Sequence, residues 1–195
     1  MKKIINPIST SILEKEINKD TFVRKTNYCN HDIYIVDYHN HPNATMEIGR
    51  LRELSFRNAG GGTGKSYDLD EFDTREEAFY KQLIVWDPEE KKIIGGYRFM
   101  LGNDVINSSK YNNTATNNLF DFSSNFYSKT LGLTIELGRS FVQPEYQPSS
   151  GNRKAIFSLD NLWDGLGALV VDHPEIKYFF GKLNMCLDWK KKRQE

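Results

Sequence analysis

The run Leu133-Thr-Ile-Glu-Leu-Gly-Arg-Ser-Phe-Val142 restricts this chain more than any other stretch. Leu133, Ile135, Leu137 and Phe141 fall on one side of an extended backbone, and Thr134, Glu136 and Ser140 on the other, which is the period of two that marks a strand. Pro144 ends it, because proline has no N–H to give to a ladder. A strand with a carboxylate, Glu136, and a guanidinium, Arg139, at its centre carries polar groups where burial favours apolar ones. That pattern points to a functional site on the strand.

Other segments supply the layers around it. Tyr80 to Trp86 and Ile93 to Leu101 are strand-like, and the turn Asp87-Pro-Glu-Glu-Lys91 predicts that they form an antiparallel hairpin. Residues 32–38 and 178–183 also have strand composition. From about 45 to 58 the pattern is helical, with Ile48, Leu51 and Leu54 on one face and Ile48, Arg52 and Phe56 along an i, i+4 row. A second helix is expected over Leu159 to Val171, ended by Asp172-His-Pro174, and Ser11-x-x-Glu14 predicts a capping box on a short helix with Ile12, Leu13 and Ile17. The expected fold is α/β, a mixed and largely antiparallel sheet flanked by helices. Residues 1–45 are expected to form an N-terminal arm and residues 46–195 the domain that carries the site.

Charge and cysteine usage exclude several classes. The chain has 26 Lys and Arg against 26 Asp and Glu, so no net field draws it to nucleic acid or anionic lipid. Two cysteines, Cys29 and Cys186, are too few for a disulfide framework and fit a reducing compartment. Met-Lys-Lys-Ile-Ile meets Asn6 and Pro7 before any apolar leader core forms. No run approaches the roughly 20 apolar residues of a membrane span. The expectation is a cytoplasmic protein whose membrane contact is at most peripheral, with the basic run Trp189 to Arg193 as a surface that could meet anionic headgroups.

Two motifs are set aside on context. Ala59-Gly-Gly-Gly-Thr-Gly-Lys-Ser66 matches a permissive phosphate-loop pattern, but that loop needs a buried strand before it and a helix after it. Here a helix precedes and the acidic Tyr67-Asp-Leu-Asp-Glu-Phe-Asp73 follows, so a mobile loop over a site is the better reading. His39-x-His41 beside Asp37 has no further His or Cys close by, and is an ordinary turn before Pro42 rather than a metal half-site. No metal site is expected.

The remaining charges are harder to dismiss. Arg52 sits at the edge of a buried helix face, where it either snorkels or needs a carboxylate partner. Arg98 lies among Tyr97, Phe99 and Met100 in a strand, and Asp70 and Asp73 stand before the hairpin. Residues 102–125 are rich in Asn, Ser and Thr and look like a long surface excursion. Phe120, Phe122 and Phe126 either tuck it back or line an apolar channel. Residues 147–154 form a loop with two positive charges.

Six pieces in this order, Glu47-Ile-Gly-Arg-Leu-Arg-Glu53 with Phe56, Asp70-x-x-Asp73, Gly95-Gly-Tyr-Arg98, Glu136-Leu-Gly-Arg139, Val142-Gln-Pro-Glu-Tyr146 and Asn161-Leu-Trp-Asp-Gly-Leu166, resemble the GNAT N-acyltransferase superfamily. The likeness covers about residues 47–185 and is to its acyl-carrier-protein-dependent branch, the hemolysin-like ornithine- or glycine-lipid N-acyltransferases related to acyl-homoserine-lactone synthases. The resemblance implies that Arg52, Asp70, Asp73, Arg98, Glu136 and Arg139 shape the acceptor side, with Phe56 as the aromatic beside them. It implies transfer of a long-chain acyl group, with or without a 3-hydroxyl, from acyl carrier protein to the amine of a small amino acid. A tryptophan that the lactone synthases carry after that aromatic is replaced here by the glycine-rich loop, which favours the lipid-forming relatives. Relatives of this kind also continue past residue 183 with further elements, so the fold is expected to be shortened at its C-terminus.

The chemistry follows from residue types as well. An amine arrives mainly as ammonium and must lose a proton before attacking a thioester, which Glu136 can accept. The carbonyl oxygen turns anionic as attack proceeds, and backbone N–H groups near Phe141 and Val142 could stabilise it. The phosphate of an acyl-phosphopantetheine donor suits the loop Ser149, Gly151, Arg153 and Lys154 and the helix end behind it, although Asp160 would repel it. The resemblance also implies a Gln/Arg-x-x-Gly-x-Gly pyrophosphate loop in the acetyl-coenzyme A users of the superfamily; it is not seen here, which favours acyl carrier protein as donor, with acyl-coenzyme A as the other option. Three other readings stay open: an acetyl-coenzyme A-dependent acetyltransferase, a membrane-active or binding protein of the hemolysin type, and a set of ion pairs that merely fixes strand register.

Overall fold

A computed structural model describes residues 1–182, apart from the Lys154 side chain. In chain order the elements are α1 (Thr10–Glu16), β1 (Phe22–Lys25), β2 (Asp32–Val36), α2 (Pro42–Asn58), α3 (Glu71–Thr74), β3 (Lys81–Asp87), β4 (Lys92–Leu101), α4 (Gly102–Asn107), β5 (Thr134–Val142), α5 (Ser158–Asp172) and β6 (Tyr178–Phe180), joined by short helical turns. All six strands form one sheet in the order β1-β2-β3-β4-β5-β6. Neighbours are antiparallel except β5 and β6, which run parallel. This is the expected mixed α/β architecture.

Period-two patterning divides the core between the two faces of the sheet. On one face Leu83, Val85, Ile94, Phe99 and Ile135 pack against Leu162, Leu166 and Leu169 of α5. On the other, Ile84, Trp86, Ile93 and Phe141 meet Ala44, Ile48 and Leu51 of α2, with Leu13 and Ile17 from the α1 region. Fully burying such a side chain stabilises the fold by roughly 1.5–3 kcal/mol. The N-terminal residues are part of this body rather than an arm, since β1 and β2 extend the sheet and Val36 joins the α2 core. α1 is capped differently from the expectation: its N-cap is Ser9, without a side-chain cap bond, which leaves Ser11 inside the first turn.

β5 departs from simple alternation. Gly96 pairs with Phe141 and Arg98 with Gly138, so Arg139 and Ser140 together oppose Tyr97 alone. Arg139 has φ +50°, the left-handed conformation that admits the extra residue of a bulge. The bulge reverses the side-chain parity. Ile135 faces α5 whereas Phe141 faces α2, so the two residues expected on one side lie on opposite sides. Gly95 and Gly96 permit the tight ladder beside it, because a Cβ there would fall 2.4 Å from the Phe141 carbonyl oxygen and 2.5 Å from that of Leu83.

β6 pairs with β5 only over Thr134–Glu136. Beyond Glu136 the far edge of β5 has no strand partner among the described residues, which leaves a cleft there. Leu183, Cys186 and the basic run Trp189 to Arg193 lie outside the described residues. No described helix is long and apolar enough to cross a membrane.

Candidate active site

α2, β4 and α3 together build a buried charge network. Arg52 is fully buried, with Nη1 3.5 Å from Asp73 Oδ1 and Nη2 donating to Gln82 Oε1. Arg98 Nη1 reaches both oxygens of Asp70 at 2.8 Å and Asp73 Oδ2 at 3.2 Å, and its guanidinium lies 4.6 Å over the Tyr80 ring. Arg139 Nη2 stands 3.3 Å from Asp68 and 3.5 Å from Asp70. Three guanidinium groups therefore face three carboxylates. Asp70 and Asp73 are held by reciprocal capping, with Asp70 accepting from the Phe72 N–H and Asp73 from the Asp70 N–H.

Burial sets the protonation tendencies. Burial alone would raise the Asp70 pKa, but the Arg98 guanidinium beside it more than offsets this and holds the carboxyl below its ordinary value. Asp68 goes the other way, because its desolvation outweighs the pull of Arg139 and Arg52. Arg98 is raised, since the attraction of Asp73 and Asp70 exceeds its own desolvation.

Glu136 stands apart from this network. Its Oε1 accepts from the Thr116 N–H at 3.1 Å and hydroxyl at 2.7 Å. Its Oε2 is buried with no hydrogen-bond partner. Next to it, desolvation first, then the Glu136 charge and a side-chain hydrogen bond to that carboxylate, push the Tyr80 hydroxyl up in pKa, and that hydroxyl accepts the Ala115 N–H at 3.0 Å. The expected surface excursion thus returns to the site. Arg75 guides it there by holding Asn113 through Nη1 and Nη2 while stacking on Phe72 and Tyr111. Phe122 and Phe126 stack at 4.5 Å and pack on Phe180 of β6, whereas Phe120 is exposed.

A cleft of about 610 Å³ opens over this region, lined by Phe56, Ala59, Gly61 to Thr63, Arg98, Ala115, Thr116, Glu136 to Ser140 and Lys182. A depression of about 330 Å³ by Glu77 and Ser108 shares no residue with it. The glycine-rich wall, expected to be mobile, is anchored. Buried Glu53 accepts from the Thr63 N–H and hydroxyl and the Gly64 N–H, and Arg57 donates to it from Nε. Despite desolvation, these donors hold the Glu53 carboxyl down at about 2. Gly60, Gly62 and Gly64 take positive φ, the conformations that make glycine necessary in this loop.

The structure brings Phe56, Arg98, Glu136 and Arg139 to the cleft and sets Arg52, Asp70 and Asp73 behind its wall, where they position the two lining arginines. Phe141 and Val142 do not line it, since they oppose Gly96 and Gly95 beyond the bulge. The residues of β5 that line it are Gly138, Arg139 and Ser140. Ser149, Gly151, Arg153 and Lys154 lie in turns between β5 and α5, and Ser149, Gly151 and Arg153 do not line the cleft. His39 and His41 serve the turn before α2, with His39 Nε2 bonded to the Arg75 carbonyl and His41 Nδ1 accepting the Asp37 N–H. Tyr146 and Asn161 prove structural: the Tyr146 hydroxyl donates to Asp87 Oδ2 at 2.9 Å, and Asn161 bonds His31 in the core.

Sequence reasoning missed Asp68, Gln82, Tyr80 and Thr116. Gln82 had a signal, as a polar side chain at an inward position just before Leu83-Ile-Val-Trp86. Thr116 had none, because its partner lies in another element and the chain between is irregular.

The profile of the acetyltransferase (GNAT) domain family matches residues 51–155. A protein of Bacteroides thetaiotaomicron named glycine N(alpha)-acyltransferase is 53% identical over 186 residues, which is 95% of this chain and 55% of that protein. One of the same name from Phocaeicola vulgatus is 51% identical over 186 residues, 95% of this chain and 57% of that protein. The chain thus spans little more than half the length of these relatives. No solved structure matched it.

Proposed function

We propose an activity from one premise: this chain belongs to the acetyltransferase (GNAT) domain family, and it transfers an acyl group from a thioester to the amine of a small amino acid. Glycine is the acceptor favoured by the names of the two relatives. The observation that carries the reading is Glu136, a buried carboxylate in the cleft with one oxygen held by Thr116 and the other unpartnered.

In this reading Glu136 Oε2 accepts the proton of the acceptor ammonium, directly or through a water. The freed amine attacks the thioester carbonyl, a C–N bond forms, and the C–S bond breaks to release the donor thiol. Negative charge on the carbonyl oxygen would meet backbone N–H groups of the Arg139–Ser140 bulge, where two residues oppose Tyr97 alone. Arg98 and Arg139, fixed by Asp68, Asp70 and Asp73, would keep that strand positioned and add positive potential.

The donor in this proposal is an acyl-phosphopantetheine, carried by acyl carrier protein or present as acyl-coenzyme A. Its phosphate would approach the turns at Ser149, Gly151, Arg153 and Lys154, and a 3-hydroxyacyl chain would extend past Leu137 toward the aromatic cluster of Phe122, Phe126 and Phe180. The product would be an N-acylated amino acid of the kind used in aminolipid synthesis. The test is incubation of the chain with acyl carrier protein thioesters and acyl-coenzyme A, each with a panel of amino acids, followed by mass spectrometry. N-acylglycine with stoichiometric thiol release is expected. Its absence with every donor would refute the proposal.

A further inference from the structure

Among the described residues the cleft holds one cation that the arginine–aspartate network does not absorb. Arg98 and Arg139 line it, but both already lie against carboxylates. Lys182 also lines it, is exposed, and makes no ion pair or hydrogen bond among the described residues. With three arginines facing three aspartates, Lys182 and Glu136 remain as the cation and the carboxylate of the cleft outside that network, one for each end of a zwitterion.

Sheet register relates this lysine to the unpartnered carboxylate. β6 runs parallel to β5 with Phe180 opposite Glu136. β6 ends at Phe180, but the chain stays against β5, since a Cβ on Gly181 would fall 2.6 Å from the Leu137 carbonyl oxygen, and Lys182 then lines the same cleft as Glu136. A carboxylate and an ammonium lining one cleft suit a small molecule with a positive and a negative end. Ala59, Gly61 and Gly62 add little bulk to the same cleft.

We propose that Lys182 binds the α-carboxylate of the acceptor while Glu136 receives the amine, so that the site selects short α-amino acids with a free carboxylate over amines in general. This rests on the acyl-transfer reading above. Lys182 is here a specificity residue, outside the proton and carbonyl chemistry, and its loss should separate acceptor choice from the chemical step.

The experiment compares glycine with glycinamide at pH 7, by ligand-observed NMR titration of the full chain and by product formation. The wild type should bind glycine about fivefold more tightly than glycinamide, the upper range for a partly exposed ion pair. Lys182→Met should abolish that ratio and Lys182→Arg should restore it. Lys177→Met, which removes the same charge from an exposed position outside the cleft, should leave it intact. Equal binding of both ligands by the wild type, or a preserved preference in Lys182→Met, would overturn the proposal. So would a rise in donor KM in that variant with the acceptor ratio unchanged, which would assign Lys182 to the donor phosphate. A wild type that prefers glycine in the titration yet forms no N-acylglycine would refute the acyl-transfer reading while sustaining the carboxylate site.

Discussion

Glu136→Gln exchanges one carboxylate oxygen for an amide nitrogen at nearly constant volume. The surviving carbonyl oxygen can keep both Thr116 contacts, at 3.1 and 2.7 Å, so the turn at Ala115 should stay docked. The exchanged atom is Oε2, which has no hydrogen-bond partner to lose. What disappears is the proton acceptor and the negative charge. A positioned general base contributes roughly 10²–10⁴ in rate, or about 2.7–5.5 kcal/mol of barrier. Turnover with a saturating thioester donor, followed by thiol release, should therefore fall by at least about 100-fold in kcat. The melting temperature should fall by no more than about 2 °C, because the retained carbonyl oxygen can keep the Thr116 contacts and accept from the Tyr80 hydroxyl beside it. A variant retaining kcat within about threefold of wild type would refute the role given to Glu136, and a large loss of stability would place this residue with the structural ion pairs.

Asp73→Asn is the contrasting case, for it leaves Arg52 and Arg98 short of a shared carboxylate in a buried site; breaking such a pair costs about 3–5 kcal/mol, and urea unfolding should show a loss of that order at unchanged m. Stability should also decline in acid. The folded pKa values of Glu53 and Asp70 lie below their unfolded ones, so their contribution is complete above about pH 4.5 and is lost as pH falls toward 2, where circular dichroism should show a lower melting temperature. Asp68, raised by burial, acts in the opposite sense and favours folding less as pH rises past its unfolded value. Glu53→Gln should remove much of the acid dependence and speed amide exchange at Thr63 and Gly64, and unchanged exchange there would contradict the anchoring of the loop. Gly95→Ala drives a Cβ to within 2.4 Å of the Phe141 carbonyl, and a thermal melt should register roughly 1–3 kcal/mol of overpacking.

Much of the architecture could be read from residue order alone. The hairpin of β3 and β4, the helical face of Ile48 and Leu51, and the strand at Glu136 all announce themselves through period, because a side chain's burial depends on its own turn or pleat. The arginines and acids at 52, 70, 73, 98, 136 and 139 were conspicuous for the same reason, as charges at positions where the pattern calls for apolar groups. What stayed hidden was everything that depends on a second segment. Asp68 is defined as a site residue by Arg139, Thr116 by Glu136, and Glu53 by a loop about ten residues away that it fastens. Arg139 itself gave no warning of its positive φ, since the bulge exists only against Tyr97 on the neighbouring strand. Local pattern determined which residues would be buried and which elements they would form. Only the folded sheet decided how those charges pair and that Phe141 would turn to the opposite face from Ile135, because pairing between strands is a property of two segments at once and neither carries it alone.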